Sequence, residues 1–140
     1  MKIMGIDYGD KRVGIALSDA LGITAQGYGT LENTGGKRLF EKIKQIITEN
    51  DVGEIVVGMP KNMDSTEGFR AEITQGFIER LAGYTDAEIT LWDERLTTVA
   101  AHGLLSELDV RGKKRKALVD TVSAALILEG YLENRKNRQG

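Results

Sequence analysis

The sequence predicts a single α/β domain, and three observations lead to that fold class. Its 140 residues suit one domain, because a chain of this length can bury roughly 68–70% of its unfolded surface. Three apolar, strand-like runs come first, and helical and strand-like patterns then alternate towards the C-terminus. Strands that alternate with helices imply parallel crossovers, so we expect the first, fourth and fifth strands to lie parallel in one sheet.

The first three strands are expected at residues 2–7, 13–19 and 23–32. The runs "KIMGID" and "VGIALSD" flank the turn "YGDKR", in which Gly9 can adopt a positive φ, and together they predict a hairpin. The third strand, "ITAQGYGTLE", contains Gly27 and Gly29. Glycines inside a strand are typical of a bulge or of a close approach by another backbone.

Helices and strands alternate after the break "NTGG". The predicted elements are a helix over 37–49, a strand over 54–59, a helix with Phe69, Ile73, Phe77, Ile78 and Leu81 on one face, a strand over 88–92, a helix from Thr97 or Thr98 to about Leu108, and a last helix over 117–132. The only proline, Pro60, ends the fourth strand. The polar tail at residues 134–140 is expected to fray.

Composition argues against three other classes of protein. The chain has no cysteine, no apolar run of about 18 residues, and no charged N-terminal region followed by an apolar stretch. A disulfide framework, a membrane span and a secretory signal are therefore not predicted. We expect a cytoplasmic protein that does not bind membranes.

Charge is distributed unevenly along the chain, although the net charge is only −2. Residues 1–110 carry 11 Lys and Arg against 18 Asp and Glu, whereas residues 111–140 carry 8 against 3. Much of the positive excess lies in "RGKKRK", residues 111–116, which we expect to be a loop. It is either a solvated loop or a contact for a nucleic-acid backbone, because an acidic protein needs a local cationic surface to hold nucleic acid.

Acidic residues stand at three informative places. Asp7 ends the first strand, Asp93 and Glu94 end the fifth, and Asp120 lies inside the almost wholly apolar last helix. A lone buried carboxylate is costly unless it is paired, hydrogen-bonded, protonated or bound to a metal. Asp120 therefore either stabilises the N-terminus of its helix or serves as a ligand.

These acids are expected to converge, because the carboxyl ends of parallel strands meet at one edge of a sheet. Three carboxylates with no basic residue between them repel each other, and hard divalent cations such as Mg²⁺ or Mn²⁺ relieve that repulsion. Two such ions can activate water and stabilise a leaving oxygen in phosphodiester cleavage. The alternative is that the acids are unrelated helix caps and turn residues.

Four motifs resemble, in order and spacing, those of the YqgF family, also called RuvX, of the RNase H-like superfamily. They are "IDYGDKRVGIALSD", "VVGMPKNMDSTEG", "LWDERLTT" and "VDTVSAALILEGYL", and they extend over nearly the whole chain. The resemblance implies a five-stranded mixed sheet with its first three strands antiparallel and helices on both faces. It also implies a metal-dependent endonuclease with Asp7, Glu94 and Asp120 as catalytic acids that bind Mg²⁺ or Mn²⁺.

The chain departs from the wider superfamily at the end of strand four. Many RNase H-like nucleases have an acid there, but this chain reads "GMPKN" and has no carboxylate until Asp64. Glu94 would have to supply the second acid. In an extended segment Asp93 and Glu94 point to opposite sides, so only one of them can readily face the metals. Arg95 then shares a side with Asp93 and can pair with it or hold a phosphate.

The basic and polar residues near these motifs are candidates for binding nucleic acid. They are Lys11, Arg12, Lys61, Asn62, Arg70, Arg95, Arg111, Lys113, Lys114, Arg115 and Lys116. Those within residues 61–70 lie around the N-terminus of a predicted helix. They either bind a phosphate there or have the ordinary role of turn residues. Trp92 is predicted to be a core residue, and His102 to lie on a surface helix.

The family resemblance implies precursor 16S ribosomal RNA as substrate, with four-way DNA junctions as the alternative. A resolvase must cut two strands symmetrically, which favours a dimer, whereas a monomer favours the ribosomal role; we expect a monomer or weak homodimer. A non-catalytic RNA-binding assembly factor is a further alternative, against which the three acids argue. "DYG" also resembles the first phosphate loop of actin-like ATPases, but those need two such domains and this chain has room for one.

Overall fold

A five-stranded mixed sheet forms the centre of the computed structural model, which describes residues 1–59, 65–93 and 112–139. The strands are β1 Lys2–Tyr8, β2 Arg12–Ser18, β3 Ala25–Glu32, β4 Val52–Met59 and β5 Glu88–Asp93, in the spatial order β3-β2-β1-β4-β5. The first three pair antiparallel, and β1, β4 and β5 pair parallel. The predicted fold class is confirmed, and β1 is the central strand.

Helices cover both faces of this sheet. They are α1 Lys37–Glu49, α2 Ser65–Leu81 and α3 Gly112–Gln139. Helices α1 and α2 pack on one face, over a core that contains Met4, Ile6, Val13, Ile15, Phe40, Ile43, Ile55, Val57, Phe77 and Leu81. Helix α3 packs on the other face, with Ile3, Ala16, Val56, Ala124, Ile127, Leu128, Tyr131 and Leu132. Strands buried on both faces read as nearly continuous apolar runs, which explains the sequences of β1, β2 and β4.

Strand alternation decides which side chains of β1 meet α3. Met4 and Ile6 belong to the core under α1 and α2, whereas Ile3 belongs to the core under α3. A Cβ added to Gly5 would lie 2.8 Å from the backbone carbonyl of Ala124, so the helix backbone rests directly on the strand at this point. Because successive side chains point to opposite faces, Asp7 lies on the α3 face of the sheet.

The C-terminal half of α3 is attached to β4 by a polar cluster. The Tyr131 hydroxyl donates a hydrogen bond to the Glu54 carboxylate, and Arg135 lies 3.6 Å from the other Glu54 oxygen. Burial, followed by the hydrogen bond to Glu54, raises the pKa of Tyr131 above its usual value. Trp92 meets the Tyr131 ring edge-on at 5.8 Å, so it packs against the α3 core, as predicted.

Both glycines of β3 lie where the strand is irregular. The β2–β3 register shifts between Ile15 and Ala16, which pair with Gly29 and Gly27 respectively, so Tyr28 is the extra residue of a bulge. A Cβ on Gly27 would lie 2.6 Å from the Thr121 methyl group of α3. The predicted bulge is confirmed, whereas the close neighbour of Gly27 is a side-chain methyl group and not the backbone that the alternative predicted.

The last helix is longer than the sequence pattern predicted. It begins at Gly112, so the predicted loop at 111–116 is wrong for residues 112–116, which form the first helical turn. Asp120 consequently lies more than two turns inside α3. The interpretation of Asp120 as a charge that stabilises the helix N-terminus is therefore wrong, because that effect falls off within the first turn. At its other end α3 runs to Gln139, through the polar tail.

The helix predicted between Thr97 and about Leu108 lies outside the described residues, as does His102. None of the described helices combines the length and the apolar character that a bilayer crossing requires.

Candidate active site

Two of the predicted acids have their backbones next to Gly14, near the carboxyl end of β1. In the β1–β2 pair, Asp7 lies directly opposite Gly14. A Cβ on Gly14 would collide with the backbone carbonyl of Asp120, so α3 touches the sheet at Gly14. Neighbouring strands are only about 4.8 Å apart. The backbone of Asp120 therefore lies above the strand position next to Asp7, on the face of the sheet to which the Asp7 side chain belongs.

The carboxylate of Asp120 is paired with an arginine from β2. The Nε of Arg12 donates to Asp120 Oδ2 at 2.5 Å, and the side chains are 34% and 18% exposed. Because Arg12 is about one-third exposed, we expect the pair to stabilise the fold by on the order of 1 kcal/mol or less. The expectation that the converging acids have no basic neighbour is wrong for Asp120, because Arg12 of β2 pairs with its carboxylate.

The backbone around Arg12 is held by a hydrogen bond within the β1–β2 turn and by hydrogen bonds from Asn33, which directly follows β3. Gly9 N–H donates to the Arg12 carbonyl at 2.9 Å, and the Asn33 side-chain amide donates to the Gly9 carbonyl at 2.7 Å. The backbone N–H of Asn33 donates to the Lys11 carbonyl at 2.8 Å. The turn that follows Asp7 is thus fixed on both sides, and Asp7 and Arg12 start from well-defined backbone positions.

Threonines fix the position of α3 on the sheet next to Asp120. The hydroxyl oxygens of Thr121 and Thr30 are 2.7 Å apart and share a hydrogen bond. Thr30 pairs with Gly14 in the sheet, so this bond lies beside the contact between Gly14 and Asp120. The helix therefore cannot slide along the sheet at this point without breaking a polar contact.

The remaining predicted site residues lie partly or wholly outside the described structure. Glu94, Lys61, Asn62, Arg95 and Arg111 are outside the described residues. For Arg70 in α2, and for Lys113, Lys114, Arg115 and Lys116 in α3, only the backbone is described. Lys11 is exposed in the β1–β2 turn. The described residues therefore bring together Asp7, Arg12 and Asp120.

Three contributors to this arrangement were not predicted from the sequence. Gly14 was read only as part of a strand, although a glycine inside a strand is a recognised signal of close approach. The pairing of Arg12 with Asp120 joins residues 108 positions apart, and no local pattern predicts it. Asn33, which follows β3, carried the ordinary signature of a turn residue.

Comparison of the sequence with known protein families gives a match over almost the whole chain. Residues 1–134 match the RuvX family, which is described as Holliday junction resolvase. The chain belongs to the RuvX family.

Two relatives, each named "Putative pre-16S rRNA nuclease", show how far the RuvX similarity extends. The protein from Halothermothrix orenii is 49% identical over 140 residues, with both chains covered completely. The protein from Thermoanaerobacter pseudethanolicus is 48% identical, with 99% of this chain and 100% of that one covered.

Solved structures share the RuvX fold at low sequence identity. Thermus thermophilus RuvC in complex with a Holliday junction substrate matches with a TM-score of 0.57 at 13% identity, over 97% of this chain and 96% of that one. The fowlpox virus resolvase with Holliday junction DNA matches with a TM-score of 0.53 at 12% identity, over 96% and 99% of the two chains. At identities this low, the structural matches show a shared fold and nothing more.

Proposed function

We propose that this chain is a metal-dependent endonuclease that cleaves phosphodiester bonds near the 5′ end of precursor 16S ribosomal RNA. The observation that carries the proposal is the position of Gly14 at the carboxyl end of the central strand, where it pairs with Asp7 in the sheet and contacts the backbone of Asp120 in α3. The choice of RNA rests on the relatives named as nucleases of that precursor.

The described residues fit a hard divalent cation. Carboxylate oxygens are the ligands that Mg²⁺ and Mn²⁺ prefer, and Asp120 is partly exposed, so an ion can reach it. Ser123, three residues beyond Asp120 on the helix, is fully buried, and its hydroxyl has no hydrogen-bond partner within the described part of the chain. An unsatisfied polar atom on this side of α3 is consistent with a polar site that other groups complete.

The third ligand in this proposal is Glu94. No group of three acidic or histidine side chains that could hold a metal occurs among the described residues, so a further ligand must come from elsewhere. Glu94 directly follows the last residue of β5, and Trp92, two residues earlier, packs on the α3 side. Side chains two apart in an extended segment share a face. We therefore assign Glu94, rather than Asp93, to the site.

Each residue of the proposed metal site would have its own role. Asp7, Glu94 and Asp120 would hold one or two Mg²⁺ or Mn²⁺ ions, which when bound activate the attacking water and neutralise charge on the leaving oxygen. The hydrogen-bonded turn after Asp7 keeps that carboxylate in position, and the contact with Gly14 does the same for Asp120. Fixed ligand positions matter because displacement of a catalytic group by about 1 Å can cost 10²-fold in rate.

Basic residues would bind the nucleic-acid backbone around these acids. Lys113, Lys114, Arg115 and Lys116 lie in the first turns of α3, and the same helix carries Asp120 further along. We assign phosphate contacts to these residues, to Lys11 and Arg12 at the β1–β2 turn, and to Lys61, Asn62, Arg70, Arg95 and Arg111. Binding that depends on such contacts is expected to weaken strongly as salt rises.

A second candidate function is cleavage of four-way DNA junctions, which the family description supports. Symmetric cutting of two strands would require two copies of the chain, whereas a single copy suffices to cut one RNA strand. A non-catalytic role in ribosome assembly is the third possibility. The three functions differ in what the protein cuts and in its oligomeric state.

One experiment separates them. The full chain is incubated in Mg²⁺ or Mn²⁺ with a labelled RNA that spans the 5′ end of mature 16S RNA, with a labelled four-way DNA junction, and with linear duplexes of both. We expect metal-dependent cleavage of the precursor RNA at discrete positions and little cleavage of the junction. Preferred, symmetric junction cleavage by a dimer would support the resolvase function. Binding without cleavage in either metal would contradict an endonuclease.

A further inference from the structure

The candidate site already contains a positive charge of its own, the guanidinium of Arg12. Its Nε donates to Asp120 Oδ2 at 2.5 Å, which is a short, charge-assisted hydrogen bond. The same carboxylate is a metal ligand in the function proposed above. One carboxylate cannot pair fully with a guanidinium and also give both oxygens to a divalent cation, so the two positive charges compete.

The backbone of Arg12 is fixed, but its side chain reaches the surface. The Arg12 carbonyl accepts a hydrogen bond from Gly9, and Gly9 is itself held by Asn33. The side chain remains 34% exposed, and within the described residues only its Nε has a hydrogen-bond partner. A guanidinium has five N–H donors in a planar fork that matches phosphate oxygens. The remaining donors are therefore available to a phosphate that approaches the exposed part of this side chain, beside the proposed metal ligand Asp120.

We propose that Arg12 is a charge latch that couples metal binding to nucleic-acid binding. Without nucleic acid, Arg12 neutralises Asp120 and lowers the affinity of the site for divalent cations. A backbone phosphate draws the guanidinium away from Asp120 and leaves the carboxylate to the metal. This inference rests on the proposed function, because it requires Asp120 to be a metal ligand. It adds a regulatory role for a residue that would otherwise be an ordinary phosphate contact.

Coupling of this kind is reciprocal. If a phosphate at Arg12 raises the affinity for metal, then metal must raise the affinity for nucleic acid by the same factor. Positive coupling would keep the metal site weak until substrate is bound. The Arg12 latch therefore predicts a measurable property of the protein alone, namely that its metal affinity increases when the latch is removed.

The test is a calorimetric titration of the full chain with Mn²⁺ in the absence of nucleic acid. We expect Arg12→Gln to bind Mn²⁺ roughly three- to tenfold more tightly than the parent, because a competing partly exposed ion pair has been removed. Arg12→Lys keeps the positive charge and is expected to stay within about twofold of the parent. Arg38→Gln removes an exposed arginine of α1 and serves as the matched control, with unchanged affinity. Thermal unfolding of each variant verifies that it is folded.

A second readout uses a labelled single-stranded RNA with phosphorothioate linkages, chosen to resist cleavage, and compares its affinity with and without Mn²⁺. We expect Mn²⁺ to tighten RNA binding more in the parent than in Arg12→Gln. Unchanged or weaker Mn²⁺ binding by folded Arg12→Gln would overturn the latch and leave Arg12 as a structural ion pair. If Asp120→Asn binds Mn²⁺ as tightly as the parent, the metal site of the proposed function fails as well. If Asp120→Asn loses Mn²⁺ binding while the Mn²⁺ affinity of Arg12→Gln equals that of the parent, only the latch fails.

Discussion

Replacing Asp7 or Asp120 by asparagine is expected to reduce cleavage of nucleic acid on the order of 10²- to 10³-fold or more. Each substitution keeps the shape of the side chain and removes one negative charge that the site needs to hold a divalent cation. Losses of this size are typical when a fixed group that stabilises charge in the transition state is removed. The measurement is the initial rate of cleavage of the precursor RNA at saturating Mg²⁺.

The two variants should differ in stability, and this difference checks the described geometry. Asp120→Asn leaves the Arg12 guanidinium without its anion, so we expect it to lower the free energy of unfolding by on the order of 1 kcal/mol.

Asp10→Asn is the matched control for Asp7, because Asp10 is exposed in the turn directly after β1. It should retain parental cleavage. Equal losses in Asp10→Asn and Asp7→Asn would indicate a general effect of charge on substrate binding instead of a metal ligand.

The largest expected effect on stability comes from Gly14→Ala. The added Cβ would collide with the backbone carbonyl of Asp120, and a collision with backbone cannot be relieved by a change of rotamer. Overpacking of this kind costs about 1–3 kcal/mol and occasionally more, and we expect a value near the upper end. For a chain of this length that corresponds to a melting temperature lower by roughly 6–12 °C. Thermal unfolding measures it directly.

Gly29→Ala is the control for that prediction. Gly29 also lies in a strand, but a Cβ at this position would meet nothing within 4 Å. Its melting temperature should change little. We expect Gly14→Ala also to lose most of its cleavage, because α3 can avoid the collision only by moving Asp120 away from Asp7. A Gly14→Ala variant with parental stability and parental cleavage would show that the helix does not rest on the sheet at Gly14.

Hydrophobic periodicity was sufficient to predict the order of the elements and most of their boundaries. Helix α1 was predicted over residues 37–49 and has those bounds, because its five buried side chains recur at helical spacing. The parallel arrangement of β1, β4 and β5 followed from the alternation of strands and helices, and the pairing confirms it. These features depend on local patterns and on general rules of connection.

The start of α3 and the partner of Asp120 depend on other information. The run from Lys113 to Lys116 has no apolar stripe, so it resembles a solvated loop, although Lys and Arg are good helix formers. The partner of Asp120 is Arg12, which the fold brings from the opposite end of the chain. Such a pairing depends on the tertiary contact at Gly14, and periodicity carries no information about it. The positions of Asp7 and Asp120 near one edge of the sheet could be predicted, but the positive charge paired with Asp120 could not.

The central claim is that Asp7, Glu94 and Asp120 together hold a divalent cation, and a thermal-shift titration with Mn²⁺ tests it most directly. Bound metal should stabilise the parent by about 2.7 kcal/mol when free Mn²⁺ is near 100 times its dissociation constant and the unfolded chain does not bind. Asp7→Asn, Glu94→Gln and Asp120→Asn should each lose most of this shift. Asp93→Asn removes the adjacent acid and should keep it.

Loss of the shift in Asp93→Asn, with retention in Glu94→Gln, would move the third ligand to the neighbouring acid. The account as a whole predicts a large Mn²⁺-dependent shift in the parent that each of the three ligand substitutions removes. It would be contradicted if Asp7→Asn, Glu94→Gln and Asp120→Asn all retained the full shift of the parent.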